Sequence, residues 1–144
     1  MEALVVELEK ATVQQESISL QLLVGRLVAG TVSKAVRHGS FFVNDVSPAL
    51  TLEVNADLVA AVLSQIVTTM VTHASNTCIR ISATTSNGVV TLQVRDQHSN
   101  GNTYTVASSL KSVQPVAEQI GGYLGITSQD KNDTTVIFSF LNQS

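Results

Sequence analysis

One helix governs what this chain can fold into. Across the stretch Val54–Ser75, Val59, Val62, Leu63, Ile66, Val67, Met70, Val71 and Ala74 recur at helical spacing and form a broad apolar stripe that must face a core. Asn55 is the predicted N-cap. An apolar partner for the stripe follows at once. Cys78–Thr84 and Val89–Arg95 read as strands flanking Ser86-Asn87-Gly88, and Asn-Gly accepts the positive φ angles of a tight hairpin turn.

The rest of the chain repeats this alternation of periods. Leu20, Leu23, Val24, Leu27, Val28, Thr31 and Ala35 predict a helix from about Ser19 to His38, capped by Gly39. Phe41-Phe42-Val43 and Leu50–Val54 read as two short strands joined by a turn at Asn44–Pro48. Gln97–Thr105 reads as a loop. Leu110, Val113, Ala117 and Ile120 predict a third helix with Pro115 in its first turn, ended by Gly121-Gly122. Tyr123–Thr127 and Thr134–Phe140 complete the pattern as strands. Helix, two strands, helix, two strands, helix, two strands is best buried as an α+β two-layer sandwich. We expect a mixed, mostly antiparallel sheet with about three helices on one face. Its core should hold Leu23, Leu27, Leu63, Ile66, Val67, Met70, Ile81, Val94, Ala117, Ile120 and Phe138.

Composition excludes several classes of function. A 144-residue chain with 44% hydrophobic residues suits one domain, here 17–144 preceded by an N-terminal segment 1–16. The eight Lys and Arg are scattered and the net charge is −3, so no basic footprint for nucleic acid is present. Cys78 is the single cysteine, which leaves no disulfide framework or Cys-based metal site, and its strand-like surroundings suit a small buried hydrophobe. Gly25, Arg26 and Lys34 interrupt the apolar run Leu20–Val36, so no membrane insertion is expected. Met1-Glu-Ala-Leu lacks the basic start of a signal peptide, and a reducing cytoplasm is the expected compartment.

An ordered set of motifs then resembles the ATPase domain of histidine kinases, a fold shared with DNA gyrase and a heat-shock chaperone, from about Ser17 to Leu141. The family's N-L-L-x-N-A-x-K-H-T-like helix motif is matched by Gln65-Ile-Val-Thr-Thr69-Met-Val-Thr-His73-Ala, with the apolar frame kept and both asparagines gone. D-x-G-x-G becomes Asp96-Gln-His98-Ser-Asn100, and the glycine-rich G-x-G-L-G-L-like turn becomes Ala107-Ser-Ser-Leu-Lys111. Glu118-Gln-Ile-Gly-Gly122 resembles E-x-H-G-G, and Asp133–Phe140 resembles the closing G-T-x-F-x-F strand.

The resemblance implies a vestigial ATP and Mg²⁺ site made of Asp96, Thr134, Gln65 and Thr69. The family's second asparagine offers an amide oxygen to Mg²⁺, which prefers hard oxygen ligands in octahedral array. Thr69 holds that position with a shorter, weaker hydroxyl. Gln65 stands where relatives carry a group that orients the attacking atom, and glutamine cannot act as a base. A solvated helix edge is the alternative reading of both. His98, Asn100, Ser108 and Ser109 replace glycines whose backbone approaches phosphates. Asp96 and Thr134 match the adenine contacts, and equally suit a turn former and a β-branched strand residue. His73 reads as a helix C-terminal residue. Neither His38 nor His73 has the flanking acids of a phosphoacceptor.

We therefore expect no bound cofactor, no catalytic residue and no metal ligand, with function carried by contact with another signalling protein or domain. A homodimer through Met1–Ala11, where Leu4, Val5 and Leu8 form a stripe, is one reading. That segment docking on its own domain, or surviving as a remnant helix, is the other. A divergent ATP-binding kinase or ATPase of a two-component or anti-sigma system is the competing functional expectation.

Overall fold

A computed structural model describes residues 18–99, 101–129 and 132–143. The N-terminal stripe at Met1–Ala11 lies outside the described residues, as does Asn100. The order is β1 (Ile18–Ser19), α1 (Leu20–Ala29), α2 (Val32–Arg37), β2 (Phe41–Asn44), β3 (Thr51–Leu52), α3 (Ala56–His73), β4 (Cys78–Ser86), β5 (Val89–Asp96), α4 (Thr103–Leu110), a 3₁₀ turn (Lys111–Val113), α5 (Gln114–Glu118), β6 (Tyr123–Thr127) and β7 (Thr134–Leu141). Five strands form a mixed sheet in the order β2-β4-β5-β7-β6. Only β2 runs parallel to its neighbour β4; the other pairings are antiparallel. The expected α+β two-layer architecture is the one observed.

The core lies between α3 and one face of this sheet. Val59, Val62, Leu63, Ile66, Val67, Met70 and Val71 of α3 are buried, together with Ile79, Ile81, Val90, Leu92, Val94, Val136, Phe138 and Phe140 from alternate positions of three strands. Asn55 caps α3, its side chain accepting from the Asp57 and Leu58 N–H groups. Asn87 and Gly88 take φ of 52° and 78° between β4 and β5, as a two-residue hairpin with both central angles positive requires. Pro115 stands at the start of α5, where its missing N–H costs no helical bond.

Several expectations need correction. The helix from Ser19 to His38 is two helices, because Thr31 turns back on Val28, its N–H and Oγ1 both donating to the Val28 carbonyl at 2.9 Å. Gly39 still ends the second, with φ of 68°. The two short strands do not pair with each other: β2 joins β4, and β3 joins β1 in a separate two-stranded ribbon. The third helix begins earlier, at Thr103, and is interrupted by the 3₁₀ turn. Leu27 and Ile120 pack against the core half-buried rather than within it, and Cys78 is half-buried too.

Gly121 and Gly122 reverse the chain from α5 into β6. Gly121 has φ of 65°, and the Gly122 N–H reaches back to the Ala117 carbonyl at 2.8 Å. A Cβ on Gly122 would stand 2.8 Å from the Ala117 carbonyl oxygen and 2.9 Å from that of Ser139, both backbone atoms that cannot swing away. Gly122→Ala is expected to cost about 1–3 kcal/mol, read as a lower midpoint in urea unfolding at unchanged slope.

Candidate functional site

The antiparallel register of β5 and β7 sets Asp96 directly opposite Thr134 at one end of the sheet. Both are buried. Asp96 Oδ1 accepts from Thr77 Oγ1 at 2.7 Å and from the His98 N–H at 3.0 Å, the second bond folding the chain into a tight turn after β5. Among the described residues no donor reaches Asp96 Oδ2.

Thr134 is enclosed by hydroxyls. Its Oγ1 lies 2.7 Å from Ser99 Oγ and 2.7 Å from Thr103 Oγ1. Ser99 Oγ also reaches the Asn132 carbonyl at 3.2 Å, and Thr103 Oγ1 the Asp133 carbonyl at 3.3 Å. A hydroxyl has one proton and two lone pairs, so these two contacts fill two of the three hydrogen-bonding sites of Thr134 from within the chain. Asn102 Nδ2 donates to the His73 carbonyl at 2.8 Å, tying the same loop to the end of α3, where His73 is indeed the C-terminal residue.

Gln65 and Thr69 sit one turn apart on α3, Gln65 exposed and Thr69 half-buried. Gln65 opens onto a cleft of about 460 Å³ between α3 and the Lys111–Glu118 segment, shared with Ala61, Ser64, Ser112, Val113 and Val116. Thr69, Asp96 and Thr134 do not line that cleft. The four sequence-predicted residues thus fall into two settings, a buried polar knot and an open groove.

The fit to Mg²⁺ is poor. Gln65 and Thr69 supply an amide and a hydroxyl, without a carboxylate, and no group of three or more His, Cys, Asp or Glu occurs among the described residues. The segment that resembles the family's glycine-rich turn fits phosphate no better. Ala107–Leu110 are helical and Lys111 continues into the 3₁₀ turn, so their N–H groups are directed at the chain's own preceding carbonyls.

Comparison with solved structures identifies the scaffold. The chain superposes on Acinetobacter baumannii histidine kinase AdeS with a TM-score of 0.75 at 9% identity, covering 90% of this chain and 68% of that one. A histidine kinase from Burkholderia phymatum gives 0.74 at 17% identity over 99% of this chain and 80% of the other. The nucleotide-free catalytic domain of histidine kinase ThkA gives 0.73 at 14% identity, over 88% and 95%. The fold is that of a histidine kinase ATPase domain. No family model matches the chain, and no curated protein sequence does. Within this ATPase fold, Thr77, Ser99, Asn102 and Thr103 are the polar residues that sequence reasoning missed. Their hydroxyls and amide lie in segments already polar throughout, and only the Asp96–Thr134 register would have singled them out.

Thr134→Val deprives the buried Ser99 hydroxyl and the half-buried Thr103 hydroxyl of their shared partner. The expected loss is about 1–3 kcal/mol in denaturant unfolding, and adding Thr103→Val should recover part of it because a matched pair is then removed.

Proposed function

We propose that this chain is a signalling module that keeps the histidine kinase ATPase scaffold for contact with another protein and neither holds nor hydrolyses Mg-ATP. The observation that supports this most is helix α4. It occupies the segment where the resembled family carries its glycine-rich turn, and its first residue holds the Thr134 hydroxyl at 2.7 Å. Phosphoryl transfer rests on positioning and electrostatics. A site without carboxylate or asparagine ligands, with its turn wound into helix, supplies neither. Helix Ala56–His73 is long and apolar enough to cross a membrane by length and composition, but its apolar face is spent on the sheet. We place the chain in the cytoplasm, working on another signalling protein. ThkA, one of the structural neighbours, has been solved with the response regulator protein TrrA.

A second reading keeps weak nucleotide binding, and one observation favours it. Asp96 is buried as a residue, but its Oδ2 is not a fully buried atom and takes no donor from the described residues, so it is open to an incoming amino group. ShkA, another neighbour, has been solved with AMPPNP. Melting curves with Mg-ATP, with ATP plus EDTA and with adenosine separate the readings. A ligand that binds only the folded state raises stability by mass action. We expect no shift at millimolar concentration in any arm. A rise with adenosine and ATP alike would support the retained adenine contact, and micromolar affinity lost with EDTA would overturn the proposal.

A further inference from the structure

The two edges of the five-stranded sheet are treated differently. Helices pack against both edge strands, but at one edge Asn44 Nδ2 donates to the Gln21 carbonyl at 3.0 Å and Asp45, just beyond β2, pairs with Arg80. Charge of this kind keeps an edge from pairing with another chain. At the other edge, β6 has the sequence Tyr-Leu-Gly-Ile-Thr, with no charge, no proline and no strand beyond it among the described residues.

The free edge has a definite pattern. The Leu124 N–H donates to Gln114 Oε1 at 3.1 Å, so it points away from β7. Antiparallel alternation then turns the N–H and C=O groups of Leu124 and Ile126 outward, with Gly125 midway between them. On the helix side an apolar groove of about 200 Å³ runs beside the strand, lined by Ala107, Leu110, Lys111, Gln114, Leu124 and Ile126. On the other side Tyr123 is 60% exposed.

We propose that β6 is a self-association edge, pairing antiparallel with β6 of a second copy about a two-fold axis at Gly125 and joining two five-stranded sheets into one. The occupant is chosen by symmetry and charge. Rotation about Gly125 brings Leu124 against Ile126 of the other copy, so the outward main-chain groups meet in matching register and the two grooves merge. The same rotation crosses the charges. Lys111 lines the groove on the far side of Gln114, which meets Leu124, whereas Glu118, the last residue of α5, follows Gln114 toward Gly121-Gly122 and Tyr123, so the two charges sit toward opposite ends of β6. Each Lys111 therefore approaches the Glu118 of the other copy, and both are exposed, with no ion-pair partner among the described residues. The Gln114 amide that holds the Leu124 N–H in the single chain swings away as the ladder forms.

Sedimentation velocity of the full chain from micromolar to millimolar concentration tests this. The expected mass rises from 15.3 kDa toward twice that value. Tyr123→Lys with Thr127→Lys, both exposed positions, sets lysines opposite one another at each end of the ladder and should leave a monomer with an unchanged far-UV spectrum. Lys111→Glu or Glu118→Lys alone should weaken the dimer roughly tenfold, and the two together should restore it. A protein that stays monomeric throughout overturns the proposal and leaves the groove to some other occupant. A dimer indifferent to the lysine pair, or one that the charge exchange does not restore, puts the contact elsewhere and overturns it equally.

Discussion

The seating of α3 on one face of the sheet is the contact on which the rest depends. Because strand side chains alternate, burying Ile79, Ile81, Leu92, Val94, Val136 and Phe138 beneath α3 leaves one register for three strands. A slip by one residue would turn those side chains to solvent, at roughly 1.5–3 kcal/mol for each large one. The meeting of Asp96 and Thr134 at the sheet's end is a by-product of this apolar packing. So is the location of the open groove at Gln65, which lies outside the buried stripe of the same helix.

What could be read from the sequence follows the same physics. Where one strong local signal decided the outcome, the reading held: the stripe and Asn55 cap of α3, the Asn87-Gly88 turn, Pro115 at a helix start, and the Gly121-Gly122 reversal. It failed where local signals were silent or pointed elsewhere. Apolar spacing continues across Thr31, so periodicity cannot register the break between α1 and α2. β3 has two residues, and its partner lies more than thirty positions away at Ile18–Ser19, so no hairpin logic could find it. Helix α4 is rich in Thr, Ser and a β-branched valine, all poor helix formers, and burial of Val106 and Leu110 overrides that preference. Of the candidate site, the sequence offers positions only. Asp96, Thr134, Gln65 and Thr69 could be named from the motif order, whereas the hydroxyls around Thr134 depend on a loop conformation with no sequence signature.

Under the proposed function, that loop is what separates the scaffold from the chemistry the resemblance would suggest. Buried polar groups need partners, and a nucleotide pocket left without its nucleotide must find them in water or in the protein. Here the chain provides them: Ser99 and Thr103 take up Thr134, Thr77 and the His98 N–H take up one oxygen of Asp96. A ligand that used Thr134 and a phosphate cradle at Ala107–Lys111 would have to break the hydroxyl contacts and unwind α4. Exposing Val106 and Leu110 alone costs about 3–6 kcal/mol, at 1.5–3 for each aliphatic side chain. Micromolar binding corresponds to about 8 kcal/mol and millimolar to about 4. Subtracting the smaller opening cost from a micromolar interaction leaves about 5 kcal/mol, and the larger about 2. A pocket that closes on itself in this way can retain every framework position of an ATPase domain while nucleotide affinity falls about a hundredfold or more, to roughly a tenth of a millimolar or weaker.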